Sequence, residues 1–308
     1  MKSKKTTINS FLGSFRSTAI LGHNGPIYGL DADEKFIYSG SSDKFVTRWD
    51  KANGKQDSFA VRCESTPFSL KLFLNQTKLA IGLSTGQLHI VDLLTKSEVH
   101  HITQHKTAVF SMLESKGNGL LLVGDAEGFL SIWQTDTMKL VLVLPLDCGK
   151  IRSIKHVNER TVVIACGNGE VRFLELEFMN ELQRFYAHEG GVTAICMDKR
   201  NHQLITGGKD GYLRWWDAQT FQLLKALPAH KGSIYGIEYV EEDLFISVSR
   251  DKSAKMWDSQ NRSVLDKWEN NLAMKRQSVN VLWSNQMGQF AFSGDDKIIH
   301  FFSKDAEN

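Results

Sequence analysis

Short apolar runs alternate with polar turn residues along the whole chain. In one unit, residues 204–206 are apolar and β-prone, residues 207–211 are turn material, and residues 212–216 are aromatic and β-prone. Another apolar run, residues 192–197, precedes them. The unit predicts several short strands joined by tight turns.

This unit repeats with a period near 42 residues. Its aromatic or apolar end position recurs at intervals of 42, 42, 41, 42, 41 and 45 residues, at Trp49, Val91, Trp133, Leu174, Trp216, Trp257 and Phe302. An upstream apolar strand opens with similar spacing at Ile27, Phe68, Val109, Ile151, Val192, Ile234 and Val279. Two registers with one period, and about four strands per unit, predict a radial arrangement of β-sheets.

Dipeptides at the two ends of the repeats carry a family resemblance. Gly22-His23 pairs with Trp49-Asp50, and good matches run from His188 to Trp216-Asp217 and from His230 to Trp257-Asp258. Gln104-His105 with Trp133 is a partial match, and repeats two, four and seven keep only the period. The chain resembles the WD-repeat family over roughly residues 16–303. The resemblance implies an all-β fold, a seven-bladed β-propeller of four-stranded antiparallel blades.

The last repeat lacks a fourth strand. It ends at Phe302-Ser303, whereas residues 18–21 occupy an outer-strand position just before Gly22-His23. We expect residues 18–21 to close the ring as an N-terminal strand, because closure removes unpaired strand edges. The predicted organisation is a flexible N-terminal lead over residues 1–15, one propeller over residues 16–303 and a polar tail over residues 304–308.

Composition narrows the classes of function. The net charge of +2 predicts no general attraction to nucleic acid. No apolar run of about 18 residues predicts a membrane span, and the basic N-terminus lacks the apolar core of a signal peptide. The four cysteines fall in different repeats without a Cys-x-x-Cys pair. These features predict a cytoplasmic, monomeric chain without cofactor or membrane partner.

Histidine, hydroxyl and aspartate residues recur at fixed blade positions and could suggest a catalytic triad. An enzyme needs one catalytic triad, whereas this set of residues occurs in three repeats. In the WD-repeat family such residues form a structural hydrogen-bonded network, and buried polar groups need such partners. The predicted structural sets are His23, Ser39, Asp43 and Trp49; His188, Thr206, Asp210 and Trp216; and His230, Ser247, Asp251 and Trp257.

A histidine group near residue 100 could suggest a metal. His100 and His101 point to opposite faces of a strand, and His105 occupies a blade-start position. No carboxylate or cysteine completes a ligand set. The sequence therefore predicts neither a metal site nor a catalytic residue.

The resemblance also implies which residues line the top face, where such propellers meet partners. They flank the first apolar residue of each inner strand or precede the turn aspartate. The resulting partner-binding candidates are Lys150, Arg152, Lys209, Arg250, Tyr235, Tyr28, Phe110, Asp295 and Asn280. In the second repeat, the same rule selects Ser69. Arginine and aromatic residues are frequent interface anchors.

These features favour a non-catalytic protein-interaction scaffold that binds one or more proteins. The four top-face cations lie on the fourth to sixth repeats and are Lys150, Arg152, Lys209 and Arg250. They predict an acidic or phosphorylated partner segment. Three alternatives stay open. The cations could serve solubility alone, the propeller could be a hydrolase with a metal in its central channel, or the basic residues could bind RNA or the ribosome.

Overall fold

A computed structural model describes residues 15–269 and 278–304 of the 308-residue chain. Residues 1–14 of the predicted lead and 305–308 of the predicted tail lie outside the described residues. The regular elements of the described part are all β-strands apart from one short 3-10 helix, Lys116–Asn118. None of its helices has the length and apolar character needed to cross a membrane.

The described residues form 28 strands. In chain order they are β1 (Phe15–Leu21), β2 (Ile27–Ala32), β3 (Phe36–Ser41), β4 (Phe45–Asp50), β5 (Gln56–Arg62), β6 (Pro67–Phe73), β7 (Lys78–Leu83), β8 (Leu88–Asp92), β9 (Ser97–Ile102), β10 (Val109–Ser115), β11 (Leu120–Asp125), β12 (Phe129–Gln134), β13 (Leu140–Pro145), β14 (Ile151–His156), β15 (Thr161–Cys166), β16 (Glu170–Glu175), β17 (Glu181–Tyr186), β18 (Val192–Asp198), β19 (Gln203–Gly208), β20 (Tyr212–Asp217), β21 (Leu223–Pro228), β22 (Ile234–Glu241), β23 (Leu244–Ser249), β24 (Ser253–Asp258), β25 (Ser263–Glu269), β26 (Val279–Ser284), β27 (Gln289–Gly294) and β28 (Ile298–Lys304).

These strands form seven four-stranded sheets, the blades of a propeller. Blades 1 to 6 each take four consecutive strands, from β2–β5 to β22–β25, and every recorded pairing within them is antiparallel. The first strand of each blade lies innermost, since β2, β6, β10, β14, β18, β22 and β26 contact one another around the ring. The predicted seven-bladed all-β fold is confirmed.

Blade 7 joins the two ends of the described chain. Its strand order is β1-β28-β27-β26, and β1 lies antiparallel to β28 with Thr18 opposite Phe301. The predicted closure by an N-terminal strand is confirmed. The strand begins three residues earlier than expected, because Phe15 packs edge-on against Phe290 with ring centroids 5.4 Å apart.

The hydrophobic core lies between the blades. The described residues form seven apolar clusters, and each contains residues from two neighbouring blades. The cluster between blades 7 and 1 combines Ile20 of β1 with Ile27, Trp49 and Ile299. Each blade therefore buries both faces against its neighbours, which agrees with the apolar runs in the inner strands.

Every inner strand carries a β-bulge after its first residue. In β2 the pairing with β3 shifts between Ile27 and Gly29, so that Tyr28 is left out of the ladder. The same shift leaves out one residue in each other blade: Phe68, Phe110, Arg152, Thr193, Tyr235 and Asn280. Because a bulge redirects a side chain, the fold presents one special position per blade.

Candidate interaction surface on the top face

The seven bulge residues surround the mouth of the central channel. We call the end of the ring where the inner strands begin the top face. A cavity of about 380 Å³ at this mouth is lined by all seven bulge residues. Their identity determines the chemistry that a ligand meets there.

Blade 2 differs from the sequence prediction, which selected Ser69 as the residue facing the mouth. Pro67 pairs with Leu83 where Ile27 pairs with Ser41 in blade 1, so Phe68 is the bulge residue. The Ser69 hydroxyl instead donates to the carbonyl of Val109 at 2.9 Å. The prediction was wrong by one position, because Phe68 was taken as the first residue of the strand.

The mouth carries a continuous arc of aromatic rings that ends on an arginine. Tyr28 meets Phe68 edge-on at 5.1 Å, and Phe68 stacks on Phe110 at 5.4 Å between ring centroids. The Arg152 guanidinium lies 4.5 Å from the Phe110 centroid and 5.6 Å from that of Tyr235. Two aromatic rings therefore hold this cation in place.

A second depression on the top face contains the predicted cations. It has a volume of about 670 Å³, and its lining includes Lys150, Arg152, Lys209, Arg250 and Tyr235. No Asp or Glu is among the described residues that line it. Nor does any of its four cations form an ion pair within 4.0 Å with a carboxylate of residues 15–269 or 278–304. We call this surface the basic depression.

Glycines shape the floor of the basic depression. A side chain at Gly191 (φ 127°) would bring its Cβ within 2.8 Å of the Gly167 carbonyl oxygen. A Cβ at Gly167 would lie 2.7 Å from the Lys150 amide nitrogen. The loops of blades 4 and 5 can therefore approach each other only because these positions lack side chains.

Asp295 and Asn280, the predicted top-face residues of blade 7, do not line the basic depression. Asp295 accepts hydrogen bonds from Asn280 Nδ2 at 2.9 Å and from the Ser278 amide at 3.0 Å. Burial, and then the charge of Asp295, raises the pKa of Tyr28. Asp295 and Asn280 thus satisfy each other and do not join the basic depression.

Deeper in the channel, Lys155 of blade 4 forms an ion pair with Glu238 of blade 6. Burial opposes the charged form of Lys155, but the acidic groups around it, Glu238 foremost, together outweigh burial and raise the lysine pKa. Arg152 has no such partner within residues 15–269 and 278–304, and burial lowers its pKa. An arginine stays protonated in proteins, so the uncompensated positive charge at this mouth lies at Arg152.

The histidine networks lie away from the mouth, inside the blades. In blade 5, Trp216 Nε1 donates to Thr206 Oγ1 at 2.9 Å, and His188 Nε2 lies 2.7 Å from that oxygen. His188 Nδ1 lies 2.9 Å from Asp210 Oδ1. In the neutral tautomer with the proton on Nδ1, His188 donates to Asp210 and accepts from the Thr206 hydroxyl at Nε2. The corresponding sets in blades 1 and 6 are His23, Ser39, Asp43 and Trp49, and His230, Ser247, Asp251 and Trp257.

The hydroxyls of these networks are closed to solvent. Ser39, Thr206 and Ser247 are each 0% exposed, and an indole N–H occupies each oxygen. Each set links a blade-start loop, a strand and the turn that carries the aspartate. This arrangement stabilises the loops through connected buried bonds.

Comparison with known proteins agrees with this architecture. The family model described as WD domain, G-beta repeat, matches residues 14–50, 179–217 and 221–258. These segments end at the tryptophan–aspartate pairs of blades 1, 5 and 6. The chain is a seven-bladed propeller that contains WD repeats.

Its relatives are distant in sequence. WD repeat-containing protein 90 of Xenopus tropicalis is 22% identical over 58% of this chain and 11% of its own length. The serine-threonine kinase receptor-associated protein of Gallus gallus is 22% identical over 77% of this chain and 68% of its own. The p21-activated protein kinase-interacting protein 1-like of Danio rerio is 25% identical over 47% of this chain and 39% of its own. The WD-repeat propeller thus spans only a fraction of some of these proteins.

Blade 3 of the WD-repeat propeller contains a fourth network that the sequence analysis missed. His105 Nδ1 lies 2.8 Å from Asp125, and Ser131 Oγ receives the Trp133 indole at 2.7 Å. His105 Nε2 lies 2.7 Å from the same hydroxyl. The serine comes two residues before the tryptophan, whereas the other sets take their hydroxyl ten residues before it. Thr47 could have indicated this position from the sequence, because it also lies two residues before a blade tryptophan. In the structure of blade 1 its hydroxyl lies 3.1 Å from His23 Nε2.

Replacing Ser131 by alanine tests this fourth network. The change leaves Trp133 Nε1 and His105 Nε2 without their partner, at about 1–3 kcal/mol for each unsatisfied buried group. We expect the free energy of unfolding in urea to fall by about 2–6 kcal/mol. Ser97→Ala, on the exposed strand β9, serves as control. Equal stabilities of the two variants would contradict the network.

The networks also predict how stability depends on pH. Burial is the main cause of the lowered pKa of His188 and His230. The unfolded histidine titrates near pH 6.5, so below that pH the unfolded chain binds protons that the folded chain does not. We expect the free energy of unfolding to fall as the pH drops from about 7 to 5, by up to about 1.4 kcal/mol per pH unit for each histidine.

Urea unfolding at several pH values measures this slope. Asp210 stays ionised across the window: burial opposes this, but bonds from His188 and Arg214 lower its pKa to about 2. His188→Asn should flatten the slope. His202→Gln, at an exposed turn, should leave it unchanged. A wild-type stability that is constant or rises on acidification would contradict the prediction.

Proposed function

We propose that this WD-repeat propeller is a non-catalytic scaffold that binds an acidic or phosphorylated segment of a partner protein in the basic depression. The observation that carries the proposal is the grouping of Lys150, Arg152, Lys209 and Arg250 around one cavity, with no carboxylate among the described residues that line it. Unpaired cations bind carboxylates or phosphates through charge-assisted hydrogen bonds.

The aromatic arc adds an anchor next to these cations. Arg152 is held between Phe110 and Tyr235, so little conformational freedom is lost when its guanidinium binds an anion. Arginine and tyrosine in a concave, partly desolvated site are typical interface anchors. A partner segment can therefore place its acidic group in the basic depression and an apolar residue against the arc.

The relatives support the scaffold class. The names of the chicken and zebrafish proteins describe association with a kinase receptor and interaction with a kinase. We carry over to this chain only the general role of binding proteins. The partner chemistry rests on the basic depression itself.

The hydrolase alternative finds little support in the channel. Among the described residues, Glu238 is the only carboxylate that lines the mouth cavity, and it is paired with Lys155. A metal in the channel needs several convergent oxygen or nitrogen ligands. The buried hydroxyls of the histidine networks also lack the access that a nucleophile needs.

Direct binding tests the proposal. The probes are a labelled phosphoserine peptide with flanking aspartates, its neutral unphosphorylated counterpart and a single-stranded RNA oligonucleotide. We expect fluorescence anisotropy to detect binding of the phosphopeptide only, with an affinity that falls as salt is raised. Tighter binding of the RNA at the same salt would favour the nucleic-acid alternative. No binding of any probe would contradict an electrostatic site.

A further inference from the structure

Blade 2 has an unusual polar cluster on its outer half, far along the chain from the cations. It lacks the blade-start histidine, because Cys63 stands there, and it carries His89 two residues before Val91, where blades 1 and 3 have Thr47 and Ser131. The cluster consists of Glu64, His89, Glu98 and His101. None of these residues takes part in the proposed binding of a partner segment.

Strand pairing places two imidazoles side by side. His89 of β8 lies directly opposite His101 of β9, and their rings stack with centroids 4.5 Å apart. Opposed residues on neighbouring antiparallel strands project from the same face of the sheet. The pairing therefore directs both rings toward the loop that precedes β6.

That loop supplies a carboxylate to both rings. Glu64 Oε1 lies 3.1 Å from His89 Nε2 and 3.7 Å from His101 Nε2. In a tetrahedral zinc site with bonds of about 2.0–2.1 Å, neighbouring ligand atoms are about 3.3 Å apart. The three donor atoms lie within 4.8 Å of one another, so small side-chain rotations suffice to bring them around one ion.

A second carboxylate orients the inner ring. Glu98 Oε1 lies 2.8 Å from His89 Nδ1. Both nitrogens of His89 thus face carboxylate oxygens, although a neutral imidazole can donate only one hydrogen bond. A cation at Nε2 resolves this conflict and leaves Nδ1–H to donate to Glu98. Such a carboxylate–histidine–metal arrangement is the usual outer-shell support of a metal ligand.

We propose that Glu64, His89 and His101 bind one divalent transition-metal ion of the zinc class, with Glu98 as a positioning residue. Two imidazoles and one carboxylate suit zinc, whereas calcium and magnesium take oxygen ligands. His89 is 7% exposed, but the side chains of His101 and Glu64 are 50% and 46% exposed. An ion can therefore enter from solvent, and a fourth position stays open to water or to a ligand atom of a partner.

Zinc titration of the untagged full chain tests the site. The variants are His101→Ala, Glu64→Gln and Glu98→Gln, and the matched control is His100→Ala. His100 is the neighbouring residue on β9 and points to the opposite face. We avoid replacing His89, because it is buried. Thermal melts without metal establish that each variant is folded.

We expect wild type to bind one Zn²⁺ per chain by calorimetry, with little competition from Mg²⁺ or Ca²⁺. His101→Ala and Glu64→Gln should each weaken zinc binding by about tenfold or more, and Glu98→Gln by about 10–100-fold. X-ray absorption of the loaded chain should show two imidazole nitrogens at about 2.0–2.1 Å.

Three results would overturn the proposal. The first is no stoichiometric zinc binding by the wild type. The second is an equal loss in His100→Ala and His101→Ala, which would place the ion elsewhere. The third is unchanged affinity in both His101→Ala and Glu64→Gln. None of these results bears on peptide binding in the basic depression.

Discussion

Deleting residues 1–22 is expected to lower the melting temperature by about 10 °C or more and to make the chain associate. The deletion removes β1, including Ile20, which is 1% exposed between blades 7 and 1. Loss of one large buried side chain costs about 2–5 kcal/mol, and about 1 kcal/mol shifts the midpoint by about 2–4 °C in chains of about 150–250 residues. The exposed edge of β28 would then pair with other chains.

Calorimetry and light scattering measure the two effects. Adding a synthetic peptide of residues 15–22 should restore part of the melting temperature, whereas a scrambled peptide should not. Ser17→Ala, at an exposed position of β1, is the control within the full chain. A truncated chain that melts as a monomer at the wild-type temperature would refute closure by β1.

Reversing two charges in the basic depression is expected to abolish binding of the phosphoserine peptide. Lys209 and Arg250 are exposed and have no carboxylate partner among the described residues. Hydrogen bonds to charged groups contribute about 1.5–3 kcal/mol each, so Lys209→Glu with Arg250→Glu should weaken binding by about 100-fold or more. The melting temperature should hold or rise slightly, because no ion pair is broken and like charges are separated.

The matched control carries the same change in net charge elsewhere. Lys139 and Lys225 are exposed residues next to or within outer strands, and Lys139→Glu with Lys225→Glu should bind the peptide as wild type does. Arg152 is left intact because it packs on Phe110 and Tyr235, so its loss would mix a packing defect with a charge effect. An equal loss in both double variants would indicate nonspecific attraction by net charge.

The sequence by itself determined the number of blades and the place of closure. The period near 42 residues is a local property, because each blade needs four short strands and their turns wherever it lies in the ring. The missing strand after Phe302 and the spare strand before Gly22 could be matched for the same reason. The residues of three histidine networks were also predictable, since the hydroxyl lies ten residues before the tryptophan in each of them and the position of the histidine varies by only one or two residues.

Only the tertiary structure decided which residues meet across blades or depart from the common spacing. The bulge after Pro67 turns Phe68 toward the mouth. A shift of one residue cannot be recognised from a period that itself varies by one residue or more. In blade 3, Ser131 takes the role of the hydroxyl that blades 1, 5 and 6 carry eight residues earlier in the repeat. Both positions place a hydroxyl at the same buried site between the histidine and the tryptophan. A strand pairing and a loop bring together Glu64, His89 and His101. Their proximity therefore follows from the fold and could not be predicted from their spacing in the sequence.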